Sequence, residues 1–298
     1  MNPMKTVAAM IVILWGPMIL PAQDKKPANL AAAPPNVAMI VHQGFFLGKD
    51  ADRRKLETTI SRACDRVDVP RYWIDLESIS GEPETLVFSS YDSYEEMEQS
   101  DADWRKFLIM HPDLERMKEE VEALAASERK TIAVRRDDLG YLSENIDLSE
   151  ARFIHILEVR LFPGHEGDFA QAYRILADAY ARIQADNPWV VYEIDAGAPA
   201  PTFLVLRPMS ELKQQDDELS RNQSLIEAEG EQGIETLTRI TREAYAGTVS
   251  TIYAVDPEMS HISKAFAVTD PDFWIHRAVN AKPELKHETP SGAERLKK

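Results

Sequence analysis

Two stretches of the chain place tryptophan, carboxylate and glycine at the same spacing: PRYWIDLESISGEP at 70–83 and NPWVVYEIDAGAP at 187–199. In each, a glutamate follows the tryptophan by four residues, and a glycine follows the glutamate by four. A carboxylate beside an aromatic ring can anchor a small molecule, or act as a general base if its pKa suits the task. The shared spacing therefore gives four candidate site residues: Trp73, Glu77, Trp189 and Glu193.

Other familiar patterns of catalytic or metal-binding residues are missing from the sequence. None of the seven histidines forms a close pair at helical spacing, so no metal site is predicted. No glycine-rich phosphate loop and no nucleophile elbow is present. The single cysteine, Cys64, falls on the apolar side of a predicted helix, which favours a buried small side chain over a nucleophile.

The two stretches belong to a longer internal repeat with an offset of 116 residues, which grows to 120 further along the chain. Each copy has the residue periodicity of strand, helix, strand, strand, helix, strand. The predicted elements are 37–46, 51–67, 71–79, 85–91, 93–126 and 130–136 in copy one, and 152–162, 168–184, 189–195, 202–207, 211–246 and 249–255 in copy two. This βαββαβ order predicts an α+β fold, with two tandem ferredoxin-like units packing sheet to sheet as an intrachain α/β barrel.

Composition gives the expected domain boundaries. Residues 1–22 have the charged start, apolar run and small-residue exit of a signal peptide, so a periplasmic or secreted protein is expected, with no stable membrane span after cleavage. Residues 23–36 are predicted to be a flexible Ala/Pro linker. The barrel halves are predicted at 37–143 and 152–263. Residues 264–298 are predicted to form a C-terminal extension that is partly disordered and through which a homo-oligomer could form.

The charge of the chain excludes one class of partner. The formal net charge is −16. Binding to nucleic acid depends on clustered lysine and arginine, so no nucleic-acid partner is expected.

One segment resembles a known superfamily. EVRLFPGHEGDFAQAYRILADAY, followed by WVVYEIDAGAPAPTFLVLRP, combines a strand, a Pro-Gly turn, an acidic-start helix and a tryptophan strand. It is similar to the dimeric α/β-barrel superfamily, which includes antibiotic-biosynthesis monooxygenases and NIPSNAP-type barrels, and most similar to tandem-duplicated, secreted bacterial members without an assigned activity. The resemblance spans roughly 37–137 and 152–256. It implies a cofactor-free monooxygenase or a haem-binding barrel, but no histidine here matches a haem ligand, so no cofactor is predicted.

Strand alternation predicts which side chains face the barrel lumen. On strand 152–162 the lumen face is assigned to Ile154, Ile156, Glu158 and Arg160, which match Ala38, Ile40, His42 and Gly44 in copy one. On the tryptophan strands the face that mixes aromatic and acidic residues is assigned to the lumen: Trp73, Asp75 and Glu77, with Trp189 and Glu193 in copy two.

These assignments define a predicted site in the lumen. Its catalytic candidates are His42, Glu77 and Glu193, and its ligand-binding candidates are Trp73, Asp75, Glu158, Arg160 and Trp189. The alternative is structural: the tryptophans plug the barrel, and Glu193 pairs with Arg160.

The sequence leaves open whether the protein is an enzyme. The expected function is binding of a small molecule or a partner without catalysis. The first alternative is a cofactor-independent monooxygenase or isomerase acting on a small aromatic substrate in the lumen. The second alternative is a haem-binding barrel.

Overall fold

The computed structural model describes residues 32–67, 69 and 71–275. The predicted signal peptide, most of the predicted linker and the end of the C-terminal extension lie outside these residues. The N-terminal half contains β1 (Val37–Phe45), α1 (Asp50–Val67), β2 (Trp73–Ser78), β3 (Thr85–Tyr91), α2 (Tyr94–Met110), α3 (Pro112–Glu122) and β4 (Ala125–Arg135). The C-terminal half contains β5 (Phe153–Leu161), α4 (Glu166–Arg182), β6 (Val190–Ala196), β7 (Thr202–Met209), α5 (Lys213–Ala244) and β8 (Tyr245–His261), and is followed by the short helices α6 (Lys264–Ala267) and α7 (Pro271–Trp274).

Local sequence signals explain where the helices begin and end. Ser93 caps α2 by accepting a hydrogen bond from the backbone N–H of Glu96. Pro112 is at the start of α3, where its missing N–H costs nothing, and it divides the predicted helical region 93–126 into two helices. Gly230 has a φ of 71° and kinks the long helix α5.

The eight strands form one closed antiparallel barrel in the order β1-β3-β2-β8-β5-β7-β6-β4. Within the N-terminal half the order is β4-β1-β3-β2, and within the C-terminal half it is β8-β5-β7-β6. The halves join where β2 pairs with β8 and where β4 pairs with β6. Closure leaves no sheet edge with unpaired backbone groups.

The lumen of the barrel is filled by apolar side chains. Ile40 on β1 lies opposite Phe88 on β3, and Phe88 lies opposite Ile74 on β2. Directly opposed residues of antiparallel strands share a face, so all three point inward. The same buried cluster includes Leu76, Ile154, Ile156, Val190, Tyr192 and Leu206.

The described part of the C-terminal extension closes one end of the lumen. Phe266 and Trp274 are buried in the same cluster as the lumen side chains, and Phe273 packs against that cluster. The indole N–H of Trp274 donates to the carbonyl oxygen of Ser149 at 2.9 Å. Arg152 forms an ion pair with Asp270 and lies 3.7 Å above the Phe273 ring. These apolar residues of the extension therefore dock on their own chain.

The outer face of the barrel is covered by helices. In the C-terminal half, α4 and α5 bury an aromatic cluster that includes Phe169, Tyr173, Trp189 and Phe203. In the N-terminal half, Ser61 on α1 donates to the carbonyl oxygen of Ser260 on β8 at 2.5 Å. No helix among the described residues is long and apolar enough to span a membrane.

The predicted strand orientation is correct for β1 and β5 and wrong for β2 and β6. Ile154, Ile156 and Ile40 face the lumen as predicted, whereas Trp73, Asp75 and Glu77, with Trp189 and Glu193, lie on the outer, helix-covered face. The reason is cross-strand registry: β2 must place Ile74 and Leu76 beside the inward residues of β3. On β2 and β6 the inward faces carry Ile74, Leu76, Val190 and Tyr192, which belong to the buried cluster of the lumen.

The glycines of the repeated motif both occupy left-handed turns. Gly81 has a φ of 79° and Gly197 a φ of 93°. A Cβ added at Gly197 would lie 2.0 Å from the carbonyl oxygen of Lys130, whereas one at Gly81 would meet only the Thr251 side chain at 3.3 Å.

We expect Gly81→Ala to lower the free energy of unfolding by about 1 kcal/mol, through backbone strain alone. Gly197→Ala should lower it by about 2 kcal/mol, because a backbone carbonyl cannot move aside as a side chain can. Urea unfolding of both variants checks the order, and equal losses would contradict it.

Candidate functional site

A cavity with apolar walls lies between the sheet and the helices of the N-terminal half, and not in the lumen. Its volume is about 350 Å³. We call it the helix-side cavity. It is lined by Met39, Val41, Gln43, Glu57, Ile60, Arg71, Trp73, Asp75, Val87, Asp101, Trp104, Leu114, Lys118, Val121, Glu122, Glu128, Lys130 and Met259.

Two tryptophans form an aromatic corner of the helix-side cavity. Trp73 is fixed by its indole N–H, which donates to the carbonyl oxygen of Met259 at 2.9 Å. Its ring meets that of Trp104 edge to face, with centroids 6.4 Å apart. Trp104 also stacks on Phe107, and the guanidinium of Arg71 lies 5.5 Å from its ring. The corner can hold a flat or cationic group against aromatic rings.

Two carboxyl groups belong to the inner wall of the helix-side cavity. Asp75 on β2 is 1% exposed, and its Oδ1 atom is buried without a hydrogen-bond partner. Burial, then the charge of Glu57, raises the pKa of Asp75 well above its usual range, although Arg53 opposes this. Burial likewise raises the pKa of Glu57 to about 7, despite its 2.6 Å ion pair with Arg53.

Arginines of α1 hold the acidic groups together. The buried Arg53 pairs with Glu57 at 2.6 Å and with Glu77 at 2.5 Å. Arg54 bridges Glu77 and Asp256. Glu77, predicted as a catalytic base, is thus engaged by two guanidinium groups and does not line the helix-side cavity.

The corresponding region of the C-terminal half is solidly packed and apolar. At the offset of 116 residues, Arg53, Glu57, Asp75 and Val87 correspond to Phe169, Tyr173, Val191 and Phe203. Phe169 stacks on Phe203 with centroids 4.2 Å apart, and Val191 is 0% exposed. The same arrangement of strands and helices is therefore compatible with an apolar core at the positions of the buried charges.

The open end of the lumen holds a smaller cavity of about 140 Å³. His42 and Glu158 line it, as the sequence predicts, together with Glu84, Arg129 and Tyr253. His42 lies 3.4 Å from Glu84, and Tyr253 donates to the other oxygen of Glu84 at 2.5 Å. Burial alone would raise the pKa of Glu84, but the hydrogen bonds from His42 and Tyr253 hold it below its ordinary value. Arg129 pairs with Glu158 at 3.4 Å.

The predicted site residues therefore do not converge on one site. His42 and Glu158 meet in the lumen cavity, whereas Trp73 and Asp75 meet in the helix-side cavity. Trp189 is buried in the aromatic cluster of the C-terminal half, where its indole N–H donates to the carbonyl oxygen of Leu139 at 3.0 Å. Arg160 is exposed, and Glu193 pairs at 2.6 Å with Arg136 and not with Arg160 as considered from the sequence.

Sequence reasoning missed Glu57, Arg53 and Trp104. The spacing of residues in α1 could have predicted Arg53 and Glu57. Spacings of four, three and four residues place them on one helix face with the apolar residues Ile60 and Cys64. Cys64 itself is buried as predicted, and burial raises the pKa of its thiol to about 12.

The cavities offer little to a metal ion or a haem. Among the described residues, no group of three His, Cys, Asp or Glu side chains is arranged to hold a metal. Haem iron takes an axial histidine, cysteine or tyrosine, or a methionine paired with histidine, and the described lining of the helix-side cavity contains none of the first three. The Met259 sulfur there lies 3.4 Å from Arg53. His42 faces a cavity of only about 140 Å³, so the residues present do not fit haem.

Comparison with known proteins gives structural similarities only. No protein-family model matches the sequence, and no curated protein matches it. An anthrone oxidase-like protein superimposes with a TM-score of 0.49 at 12% identity, covering 76% of this chain and 94% of that one. A proposed monooxygenase from Fusobacterium nucleatum subsp. nucleatum ATCC 25586 has a TM-score of 0.49 at 10% identity, covering 75% and 93%.

A third solved structure, the chlorite dismutase from Candidatus Nitrospira defluvii in complex with imidazole, has a TM-score of 0.43 at 5% identity, covering 74% of this chain and 91% of that one. These three TM-scores are all below 0.5, and they do not indicate a function for this chain.

Proposed function

We propose that this protein binds a small, largely apolar molecule in the helix-side cavity, with Asp75 as the polar anchor. The observation that carries the proposal is the Oδ1 atom of Asp75, which is buried without a partner in the wall of a cavity of about 350 Å³. A buried polar atom without a partner costs about 1–3 kcal/mol, which a ligand group can recover. Apolar walls with a few aimed polar groups are typical of small-molecule sites.

The shape of the cavity suggests the body of the ligand. Trp73 and Trp104 offer ring faces and edges, and Val41, Val87 and Leu114 contribute aliphatic walls. A volume of about 350 Å³ accommodates a molecule with one or two rings. The lumen, by contrast, is filled by side chains apart from its open end.

A cavity-filling variant tests the proposal. Val87→Phe introduces the residue found at the corresponding position, Phe203, and should cut affinity for an occupant at least about tenfold. The matched control, His42→Gln, alters the lumen cavity and should leave affinity unchanged. Equilibrium dialysis with 2-naphthol and with naphthalen-1-ylmethylammonium measures retention by each variant. Retention of neither probe by the unmodified protein, or full retention by Val87→Phe, would refute the proposal.

A second candidate function is proton-transfer catalysis without a cofactor, favoured by the pKa of Glu57 of about 7. A carboxylate with a pKa near the working pH is suited to take a proton from an acidic C–H or O–H group. Asp75, if it keeps its proton, can donate a hydrogen bond to the oxygen on which negative charge develops. Return of the proton to another carbon would make an isomerase. Addition of the anion to dioxygen and protonation would give a hydroperoxide, whose loss of water would leave a carbonyl group and one oxygen atom in the product, with the substrate as reductant; this is a monooxygenase reaction.

Exchange at carbon tests this candidate without knowledge of the substrate. In D₂O near neutral pD, the α-hydrogens of 2-tetralone should exchange faster with the unmodified protein than with Glu57→Gln, as followed by ¹H NMR. Glu193→Gln, which changes a carboxylate outside the cavity, is the control. Equal rates for unmodified protein and Glu57→Gln would leave binding as the function.

We also propose that the chain arose by tandem duplication and that the protein is exported. Tandem duplication of a ferredoxin-like unit is supported by the 116-residue offset and by the recurrence of the same strand order in both halves. Export is supported by the signal-like residues 1–22, so the occupant would be a molecule of the periplasm or the medium. N-terminal sequencing of the protein recovered from the periplasm tests export, and recovery of uncleaved cytoplasmic protein would count against it.

A further inference from the structure

The buried acids at and behind the inner wall of the helix-side cavity outnumber the cations that face them. Four carboxyl groups, Glu57, Asp75, Glu77 and Asp256, lie around the two guanidinium groups of Arg53 and Arg54. Asp50 also pairs with Arg53 at 2.8 Å, from the exposed end of α1. If all were ionised, this cluster would carry excess negative charge.

The rim of the cavity does not supply the missing positive charge. Arg71 pairs with Asp101 at 3.4 Å, Lys118 with Glu122 at 2.5 Å and Lys130 with Glu128 at 3.0 Å. Each of these rim cations thus has its own acid. Nearby on α1 and β8, Arg62 lies 3.9 Å from Glu258, and His261 lies 2.7 Å from Asp65.

The fold does not require this excess of acid. In the C-terminal half, Tyr173 and Val191 take the places of Glu57 and Asp75 and belong to a buried apolar cluster. Buried charges can often be replaced by apolar side chains without loss of stability, so their presence in one half only points to a role in binding.

We infer that the helix-side cavity selects an organic cation, whose ammonium group lies against Asp75 and Glu57 and beside the rings of Trp73 and Trp104. This inference rests on the proposed function and names its ligand class. An ammonium group supplies the positive charge that the acid cluster lacks, and indole rings attract cations. Arg71 over the Trp104 ring is an example of that contact within the same cavity.

Binding of the cation should release a proton from the cavity. In the empty cavity the excess negative charge is relieved by protons held on the carboxyl groups, since burial and neighbouring acids raise the pKa of both Asp75 and Glu57. A bound ammonium stabilises the carboxylate form, so the O–H bond ionises and the proton leaves to the buffer. One positive charge enters the cavity with the cation and one leaves with the proton, so the net charge of the cavity is unchanged.

A matched pair of probes tests the inference. Benzyltrimethylammonium and neopentylbenzene have the same shape and differ in charge. Titration followed by tryptophan fluorescence should show the cation binding at least about tenfold tighter than the neutral compound. Calorimetry near pH 6.5, in two buffers of different ionisation enthalpy, should show release of about one proton per cation bound.

Variants assign the effect to the acids. Asp75→Asn should weaken cation binding at least about tenfold and change neutral binding by less than about twofold. Glu57→Gln gives a second test should Asp75→Asn fail to fold, and circular dichroism checks both. Glu193→Gln is the control and should change neither affinity.

The outcomes separate the inference from the proposed function. Equal affinity for the two probes, or cation binding without proton release, overturns the cation inference and leaves small-molecule binding intact. Binding of neither probe also overturns it, and the proposed function then stands or falls by the dialysis with naphthalene compounds. Tighter cation binding that Asp75→Asn and Glu57→Gln both leave unchanged would place the cation elsewhere and overturn the assignment.

Discussion

Replacing Glu57 by glutamine should make the protein more stable near pH 8 and remove a pH dependence that the unmodified protein shows. Burial raises the pKa of Glu57 from 4.5 to about 7 in the folded chain. The folded state therefore holds a proton that the unfolded state releases. The resulting stability is fully present below about pH 4.5 and is lost as the pH rises through about 7. The loss amounts to roughly 3 kcal/mol.

Urea unfolding at several pH values between about 4 and 8 measures this effect. The difference in free energy of unfolding between Glu57→Gln and the unmodified protein cancels contributions from carboxyl groups that do not interact with Glu57, and it includes the relief of Asp75 from the Glu57 charge. That difference should grow with pH in favour of the variant, because glutamine can still accept the hydrogen bond of Arg53 but is never charged. Glu193→Gln removes an ion pair in which Glu193 is more than a third exposed, so the difference in free energy of unfolding for this variant should stay within about 1 kcal/mol at every pH. A pH-independent difference for Glu57→Gln would show that its folded pKa is normal.

The loss of folding stability caused by Glu57 at neutral and higher pH is consistent with a functional cavity. A chain that builds one half around Phe169, Tyr173 and Val191 has an apolar solution available for the other half. It instead places Arg53, Glu57 and Asp75 there and leaves a cavity of about 350 Å³ beside them. Sites that bind or react commonly reduce stability in this way.

The strands and helices were largely predictable because amphipathic periodicity is a local property. The predicted helix 168–184 corresponds to α4 (Glu166–Arg182), and the predicted strand 202–207 to β7 (Thr202–Met209). Even the division between α2 and α3 had a local cause in Pro112, although the prediction treated 93–126 as one helical region.

The orientation of the tryptophan strands could not be obtained from alternation alone. Alternation separates Ile74 and Leu76 from Trp73 and Asp75, but it does not say which set faces the lumen. The decision comes from registry with β3 and β8, which is a long-range property of barrel closure. Polar residues on the outer face suggested a lumen site, whereas they actually meet arginines of a covering helix.

For the same reason, the candidate site was only half predictable. Trp73 and Asp75 were identified because they belong to the repeated stretch. Glu57 and Trp104 reach the cavity from α1 and α2, and nothing in the spacing of the stretch refers to those helices. Comparing the two halves at the offset of 116 residues is more informative, because Tyr173 at the position of Glu57 and Val191 at the position of Asp75 show where the halves differ in chemistry.

That difference between the halves predicts unequal roles for the two repeated tryptophans. Trp189 is 2% exposed and contacts the rings of Tyr141, Tyr173 and Tyr180. Trp189→Ala should lower the free energy of unfolding by about 3–5 kcal/mol, the usual cost of emptying a packed aromatic site. Trp73 already borders a cavity and is only half-buried, so Trp73→Ala should lower the free energy of unfolding by roughly 2 kcal/mol or less.

Ligand binding should show the opposite order. Trp73→Ala removes a wall of the helix-side cavity and should weaken retention of the naphthalene probes, whereas Trp189→Ala, studied where it remains folded, should not. Urea unfolding and equilibrium dialysis of the two variants measure both effects on the same samples. If the two tryptophans proved equally costly to remove, the halves would be packed alike. If both left binding unchanged, the aromatic corner would not form part of the site. We thus expect Trp189 to contribute mainly to stability and Trp73 mainly to binding. This difference requires that the two halves share a backbone arrangement but not a core.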